Sequence, residues 1–450
     1  MTPHALGSQE FRDAYGLNYA YVAGAMVKGI SSVPLVIRLA RAGMLGFFGT
    51  GGVPLDTTTK AVKDIQSALA EGQSFGVNVL ADPGDPKREM ALIDQLIALT
   101  VPVIEASAFM ELSKAVVKFR LQGAKRRGDR VETQRNVLAK LSRPEVATQF
   151  LSPAPAPMVQ DLLENGHITL EEAEAAPLIP VATDITVEAD SGGHTDMGVT
   201  STLLPTMLSL RDQMRAMHGY DTLVRIGLAG GIGTPAAAAA GFVMWADYIA
   251  TGSINQCTPE AGNSDAVKDV LQTCRVQDTA YAPAGDMFEI GAKVQVVKKG
   301  LFFPARGNKL HEIWRSHPGL EHLPGAVARD IQDRYLGRSF DAVFEETCAH
   351  YEAVAPEEIT KAKADPKVKM ALIFRWYFVH SMRLALAGDT SQKVNWQVYC
   401  GPSLGAFNSW VAGSDIEDWH NRHVDMIGER LMTATAEYLS KQLGRFATAV

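Results

Sequence analysis

The feature that most constrains the fold of this chain is a repeated alternation of short apolar, β-prone runs with helical stretches. It extends from residue 19 to about residue 254 of 450, and it is typical of parallel strands covered by helices. Asp85-Pro86 supports it, because an acidic N-cap followed by proline predicts the start of a helix. Eight repeats favour a closed TIM (β/α)8 barrel in the α/β class. The predicted strands are 21–24, 44–49, 75–80, 103–107, 136–141, 185–189, 223–228 and 248–251.

The alternation is interrupted once and then ends. Residues 143–180 carry a proline-rich run and two short helical patterns where one crossover helix is expected, which we interpret as an inserted lid segment. Beyond Cys257 the apolar residues recur at helical spacing. We therefore predict a barrel domain over residues 1–256 and a mostly helical C-terminal substrate domain over 257–450. The helical patterns of this second region cover 340–352, 356–364, 369–386 and 415–442.

Composition narrows the functional classes. The 43 basic and 50 acidic residues give a net charge of −7, which argues against a general nucleic-acid or membrane-surface binder. No apolar run of about twenty residues occurs, so we expect no membrane partner and a cytoplasmic location. The cysteines are too widely spaced for a disulfide framework and are expected to be thiols in a reducing compartment. They are Cys257, Cys274, Cys348 and Cys400.

Two glycine-rich turns follow the last two predicted strands. In the first, Gly230 and Gly231 leave amide groups uncovered, while Thr234 and Pro235 are suited to starting a helix. Free amides and the positive end of a helix dipole bind anions, and the corresponding turns of a barrel commonly hold phosphate. Gly252 and Ser253 complete the second turn. The alternative is that the glycines only let a helix pack closely on a strand.

A histidine stands at the end of the sixth predicted strand, directly after Gly192-Gly193. Barrel enzymes place reacting groups at this edge, and an imidazole titrates near neutral pH, so His194 is a candidate proton donor. Gly193 would let backbone crowd a bound cofactor. A structural histidine is the alternative. The neighbouring acids either orient the ring, contact a ligand, or are solvated: Glu188, Asp190 and Asp196.

Two further polar residues interrupt apolar strands. Asn78 can both donate to and accept from a heterocycle, or it forms a turn at the strand end. Lys140 needs a counter-charge or an electron-rich partner if it is buried, and otherwise faces solvent. Each is a candidate ligand contact.

A basic cluster near the insertion is interpreted as a solvated helix face, with an acidic partner as the alternative. No HExxH, GxSxG, Walker-type or zinc-ligand spacing is found, so no metal site is predicted. The cluster comprises Lys125, Arg126, Arg127 and Arg130.

Taken together, the strand phrase 75–79, the Gly192-Gly193-His194 turn and the two glycine turns resemble the flavin-dependent superfamily of nitronate monooxygenases and FMN-type enoyl reductases. Longer phrases resemble one subfamily, the trans-acting enoyl reductases of polyunsaturated fatty acid and trans-acyltransferase polyketide synthases. The likeness covers nearly the whole chain. The phrases are 19–26, 43–52, 188–196, 281–299, 302–306, 370–378 and 401–410.

The resemblance implies an FMN-binding barrel that reduces an enoyl thioester, with NADPH as the hydride source and a proton delivered to the α-carbon. His194 matches the active-site histidine of the family. Val22, Ala23 and Gly24 would line the flavin. Asn78 and Lys140 would contact its ring system or neighbouring oxygens, and Glu188 would lie near them. The phosphate would be held by Gly230, Gly231, Gly252 and Ser253.

The implied partners are an acyl carrier protein that bears the enoyl group and the modules of a polyketide or fatty acid synthase. A homodimer and origin in a longer fusion protein are further expectations. Two rival functions remain open. A nitronate monooxygenase would use the same barrel and histidine with oxygen as the acceptor, and an inactive flavin-binding scaffold would only organise a synthase.

Overall fold

Eight parallel strands close into a barrel in the computed structural model, which describes residues 1–128 and 130–447. Around the barrel the order is β1, β2, β3, β4, β7, β8, β10 and β11, with β11 returning to β1. All eight predicted strands are found, so the predicted α/β TIM-barrel class is confirmed. In chain order the strands are β1 Tyr21–Ala23, β2 Leu45–Phe48, β3 Gly76–Leu80, β4 Val103–Ser107, β5 Lys125–Arg127, β6 Arg130–Glu132, β7 Asn136–Leu141, β8 Asp184–Glu188, β9 Gly193–Thr195, β10 Arg225–Ala229, β11 Ile249–Thr251, β12 Thr279–Pro283 and β13 Lys293–Val297.

Helices follow or separate most of these strands. Asp85 caps α4 as predicted, its side chain accepting from the amide of Arg88 at 3.0 Å. The α-helices are α1 Gln9–Tyr15, α2 Val33–Arg41, α3 Leu55–Ala68, α4 Pro86–Ala98, α5 Lys114–Leu121, α6 Pro144–Leu151, α7 Ala156–Glu164, α8 Leu170–Ala175, α9 Thr200–His218, α10 Pro235–Val243, α11 Asp265–Leu271, α12 Phe303–Ser316, α13 Gly325–Asp330, α14 Phe340–Val354, α15 Pro356–Ala364, α16 Pro366–Ala387, α17 Ser403–Val411 and α18 Val424–Ala447.

The chain forms two compact units that interleave in sequence. The barrel unit comprises Met1–Ser191, Met197–Gly262 and the chain from Ala406 onward, and the second unit comprises Gly192–Asp196 and Asn263–Gly405. The predicted domain boundary after residue 256 stays a prediction, because a division into compact units does not test which segment folds by itself.

Aromatic rings fill the inside of the barrel, and glycines make room for them. A Cβ on Gly76 would lie 2.1 Å from the ring of Phe47, and one on Gly227 would lie 2.2 Å from the ring of Tyr248. Phe11 of α1 stacks on Tyr248 with ring centroids 4.2 Å apart. The barrel interior is therefore a packed core, as is usual for this fold.

A buried ion pair lies where β8 and β10 begin. The guanidinium of Arg225 donates to both carboxylate oxygens of Asp184, at 2.5 and 2.8 Å. The hydroxyl of Tyr15 donates to the same carboxylate at 2.5 Å. Burial, with Asp184 adding to it, raises the pKa of Tyr15 well above its ordinary value, so this phenol stays a donor.

The inserted segment 143–180 forms three helices, α6 to α8. Polar contacts hold α7 and α8 on α5 and on the turn that follows it: Lys114 pairs with Asp161 at 2.7 Å, and the amide of Gly123 donates to Glu172 at 2.6 Å. Glu172 also completes a capping box with Thr169 at the start of α8. A lid function for this segment stays a prediction.

The second unit combines a small sheet with helices. Strands β12, β13 and β9 form an antiparallel sheet in that order, and its core includes Phe288, Phe303, Phe374 and Phe378. The predicted helical patterns at 340–352, 356–364 and 369–386 correspond to α14, α15 and α16.

The C-terminal residues return to the barrel unit. There α18 packs against α10 and α2, and Arg38 of α2 donates to Asp425 at 2.5 Å. The helical pattern predicted from residue 415 becomes an α-helix only from Val424. None of the four cysteines forms a disulfide within the described residues. Over the same residues, no helix has the length and apolar character needed to cross a membrane.

Candidate active site

A cluster of buried polar side chains lies at the carboxyl ends of neighbouring barrel strands. Its centre is Asn78 on β3, directly opposite Glu105 on β4. The amide nitrogen of Asn78 lies 3.0 Å from the backbone oxygen of Glu105, 3.1 Å from its carboxylate and 2.9 Å from the hydroxyl of Ser107. The structure therefore places Asn78 where the sequence analysis put it, with its amide fixed by the next strand.

Glu105 is the residue that the sequence analysis missed. It is 1% exposed, and its carboxylate accepts from the amide of Ala25 at 3.0 Å. A Cβ on Gly24 would lie 3.3 Å from the same carboxylate. Burial raises the pKa of Glu105, although Lys140 opposes this. One acid inside an apolar strand is the same signal that singled out Lys140, and it was available in the sequence.

Lys140 on β7 supplies the positive charge of the cluster. Its ammonium lies 3.1 Å from the carboxylate of Glu188 at the end of β8, which also accepts from Ser191 at 3.1 Å. Burial lowers the pKa of Lys140, but Glu188 and Glu105 outweigh it, and the net direction is upward. Lys140 is therefore a cation that pairs with Glu188 and is further favoured by the charge of Glu105.

The end of β1 lies at the same edge of the barrel. Val22 and Ala23 are buried and pair with Ala250 and Thr251 of β11. The amide of Gly24 donates to the backbone oxygen of Thr251 at 3.0 Å. The three β1 candidates thus lie beside the strand that leads into the second glycine turn.

The two glycine turns follow paired strands, since Leu228 of β10 is opposite Ile249 of β11. Gly230 and Gly231 have φ of +92° and +75°, a backbone that side chains disfavour. No atom lies within 4 Å of a Cβ built on Gly231 or on Gly252. These positions border open space, as a phosphate cradle requires.

Thr234 caps the helix that begins at this cradle. Its hydroxyl accepts from the amide of Ala237 at 3.4 Å, and Pro235 occupies the first turn of α10. Ser253 opens a short 3-10 turn, Ser253–Gln256, after β11. The donor set of amides, a hydroxyl and a helix N-terminus fits the phosphate of a nucleotide.

His194 and Gly193 belong to the second unit. His194 pairs with Val294 of β13, and Gly193 has a φ of +84°. The imidazole Nε2 lies 2.9 Å from the carboxylate of Asp286. Burial raises the pKa of Asp286, but the hydrogen bond and charge of His194 lower it, and the net direction is downward. The ring of Tyr399 is 6.5 Å away.

Asp286 is an acid beside the ring of His194 that the sequence analysis did not single out. Glu188 contacts Lys140 and Ser191, whereas Asp286 lies 92 positions from His194 in sequence. No local sequence signal connects them. A common site for His194 and the barrel cluster stays a prediction.

The basic cluster at 125–130 is a two-stranded hairpin, β5 and β6, and the predicted helix face is wrong here. Arg127 pairs with Glu132 at 3.6 Å, and Lys125 with Glu171 at 3.9 Å. The cluster is thus partly neutralised within the molecule.

Comparison with solved structures decides the family. The chain is 44% identical to the enoyl reductase domain of MlnA from the macrolactin biosynthesis cluster of Bacillus amyloliquefaciens. The match covers 98% of this chain and 99% of that domain, with a TM-score of 0.94. The chain belongs to this enoyl reductase family.

Longer proteins contain similar sequences. The polyketide biosynthesis protein PksE of Bacillus subtilis is 51% identical over 98% of this chain, and the chain spans 58% of its length. A polyunsaturated fatty acid synthase protein of Thraustochytrium is 40% identical over 92% of this chain, which spans 28% of that longer protein. The enoyl reductase family therefore includes segments of larger biosynthetic proteins.

Other matches concern part of the chain or the fold alone. Residues 317–396 match the model of the inserted helical domain of [acyl-carrier-protein] S-malonyltransferase. FabK from Thermotoga maritima is 16% identical with a TM-score of 0.59, over 97% of this chain and 98% of that one. At this identity the similarity shows only that this chain and FabK share a fold. It assigns no functional role to any residue.

Proposed function

We propose that this chain reduces the α,β double bond of an enoyl thioester carried on an acyl carrier protein. It would act in trans in polyketide or polyunsaturated fatty acid biosynthesis, with FMN in the barrel and NADPH as the hydride donor. The observation that carries the proposal is the 44% identity to an enoyl reductase domain along nearly the full length of both chains. The reducing cytoplasm is the proposed location.

The two glycine turns after β10 and β11 support the proposal of a nucleotide cofactor. Gly230 and Gly231 on one turn, and Gly252 and Ser253 on the other, would hold the phosphate of FMN through backbone amides and a hydroxyl. The open space beside Gly231 and Gly252 is the structural fit for this group.

The polar cluster around Asn78 and Lys140 supports the proposed position of the flavin ring system. Val22, Ala23 and Gly24 would line the ring from β1, with Asn78, Lys140 and Glu188 at its polar edge. When bound, FMN supplies hydride transfer from NADPH to the β-carbon of the enoyl thioester. Lys140 contributes a positive charge that two carboxylates keep in place, and such preorganised charge costs no rearrangement during turnover.

We assign the proton for the α-carbon to His194, with Gly193 beside the cofactor. The contact with Asp286 supports this, because a carboxylate at one ring nitrogen orients the imidazole and favours its protonated form. Asp286 is a positioning residue in this scheme.

An anaerobic absorbance spectrum tests the proposal. We expect the flavin band to bleach when NADPH is added to the FMN-loaded protein, and to return when crotonyl acyl carrier protein follows. Protein that binds no FMN, or a band that crotonyl thioester fails to restore, would overturn the proposal.

The same preparation separates the rival activity. Nitroalkane oxidase from Streptomyces ansochromogenes shares the fold, with a TM-score of 0.53 at 16% identity over 96% of this chain and 99% of that one. Rapid oxygen uptake with an alkyl nitronate, together with no loss of enoyl thioester, would favour an oxygen-using enzyme over the reductase.

A further inference from the structure

One exposed face of the second unit is apolar at its centre and basic at its edge. We name it the Phe302 face and define it as Lys298, Lys299, Phe302, Arg306, Lys393 and Val394. The side chain of Phe302 is 55% exposed and that of Val394 is 38% exposed. A large exposed aromatic group with charged neighbours is typical of a surface that binds another protein.

Direct contacts join Phe302, Arg306 and Val394 into one surface, and the three lysines of the face lie close to these residues in sequence. The amide of Phe302 donates to the backbone oxygen of Val394 at 2.7 Å, which joins the start of α12 to the segment before Trp396. The guanidinium of Arg306 lies 5.6 Å from the centre of the Phe302 ring and also donates to Asn395. The apolar centre is therefore held by backbone and side-chain bonds.

The charge of this face opposes that of the whole chain. Residues 298–309 carry four cations and no acid, while the chain has a net charge of −7. Of the acids in the adjoining segments, Asp278 lies 3.9 Å from Lys299 and offsets part of its charge, while Asp389 accepts from the amide and hydroxyl of Ser391 and keeps its own charge. Three of the four cations of the Phe302 face, Lys298, Lys299 and Lys393, are exposed.

We propose that the Phe302 face docks the acyl carrier protein, through a helix of that protein on which acidic side chains surround an apolar one. This rests on the proposed function, which requires a protein-borne thioester. An acidic partner is repelled by a surface of net charge −7, so the basic edge would guide it to this face and Phe302 would anchor it.

The test compares two substrates that differ only in the protein. Native chain and the double variant Lys298→Glu, Lys393→Glu are assayed with crotonyl acyl carrier protein and with crotonyl pantetheine, which carries the same thioester without a carrier. We expect the KM for the carrier substrate to rise about tenfold, because rim charges control encounter. For crotonyl pantetheine we expect kcat/KM to stay within about twofold of the native value.

A matched variant controls for net charge. Arg126→Glu, Arg130→Glu reverses two charges on the β5–β6 hairpin and should leave both substrates at the native rate. Phe302→Ala should weaken binding of the carrier substrate at both low and high salt. The effect of the two lysine reversals should instead shrink as the salt concentration rises.

Three results would overturn the docking proposal: an unchanged carrier KM, an equal loss with both substrates, or an equal loss in the hairpin variant. Failure of the proposed function gives a different result, in which the native chain reduces neither thioester. Titration of the native chain with unloaded acyl carrier protein then decides the docking proposal by itself, since weaker binding by the lysine variant supports it and equal binding refutes it.

Discussion

The two units contain the same kind of charge pair in opposite surroundings. In the barrel unit, Lys140 and Glu188 are 21% and 18% exposed, with the fully buried Glu105 nearby. In the second unit, His194 and Asp286 are 39% and 61% exposed. Burial makes a partner in the first group costly to remove, because little solvent reaches the charge that is left behind. The second pair remains accessible to solvent, as the proton transfer proposed for His194 requires.

Removing the buried cation should have the largest effect on stability. Lys140→Met leaves the buried Glu105 and the largely buried Glu188 without their counter-charge, and we expect a loss of about 3 kcal/mol in the free energy of unfolding. Urea unfolding near neutral pH measures it. Lys60→Met, which removes the exposed Lys60–Asp64 pair, is the control and should cost about 0.5 kcal/mol or less. Equal losses would mean that burial makes no difference.

Filling the cradle should weaken the cofactor without unfolding the chain. Gly252→Val places a side chain in open space, so we expect FMN affinity to fall about a hundredfold while the urea midpoint is unchanged. Quenching of flavin fluorescence gives the affinity. Gly84→Val, in the exposed turn before α4, should bind FMN normally. Native affinity in the Gly252 variant would remove this glycine from the phosphate site.

The stability contributed by Glu105 should depend on pH. Burial raises the pKa of Glu105, so the folded chain keeps this proton to higher pH than the unfolded chain does, and stability is lost as pH rises through the folded pKa. Glu105→Gln does not titrate. The free energy of unfolding of this variant, relative to that of the native protein, should therefore increase as pH rises from about 4 to 7. The increase should be about 1.4 kcal/mol for each unit by which folding shifts the pKa of Glu105. A constant difference, like that expected for the exposed Glu71→Gln, would contradict this.

Changing the exposed His194–Asp286 pair should have the smallest effect, and that effect should be confined to the pH dependence of turnover. Asp286→Asn removes the carboxylate that favours a protonated imidazole, so the alkaline limb of the pH–rate profile should move to lower pH, by about half a unit because solvent screens the pair. Unfolding should be unaffected. Asp418→Asn, beside the exposed His420, should leave the profile in place. A profile that also stays in place for Asp286→Asn would separate Asp286 from the reaction.

The sequence alone was enough to predict features that depend only on residues close together in the chain. Each barrel strand is a short apolar run with turn residues at its ends, so all eight were predictable. Asn78 and Lys140 were visible as polar interruptions of such runs, and Glu105 carries the same signal.

Features that depend on tertiary pairing were not predictable. Asp286 reaches His194 only because β9 joins the sheet of the second unit, and helical periodicity in α18 gives its apolar side but not the surface that it covers. The charged residues of β5 and β6 gave no indication that these segments pair as strands, because the segments lack the apolar spacing that marks the barrel strands.

The small sheet of β12, β13 and β9 limits how this chain can be divided. Its third strand, β9, is encoded more than eighty residues upstream of the other two, between a barrel strand and a barrel helix. A segment cut at residue 263 and transplanted into a relative would arrive with the start of β13 unpaired along one edge, because residues 398–400 cover only its end. Open backbone groups on a strand edge invite self-association. An exchange of the second unit between homologues therefore has to include Gly192–Asp196 as well as Asn263–Gly405. Such an exchange requires two separate segments of the gene.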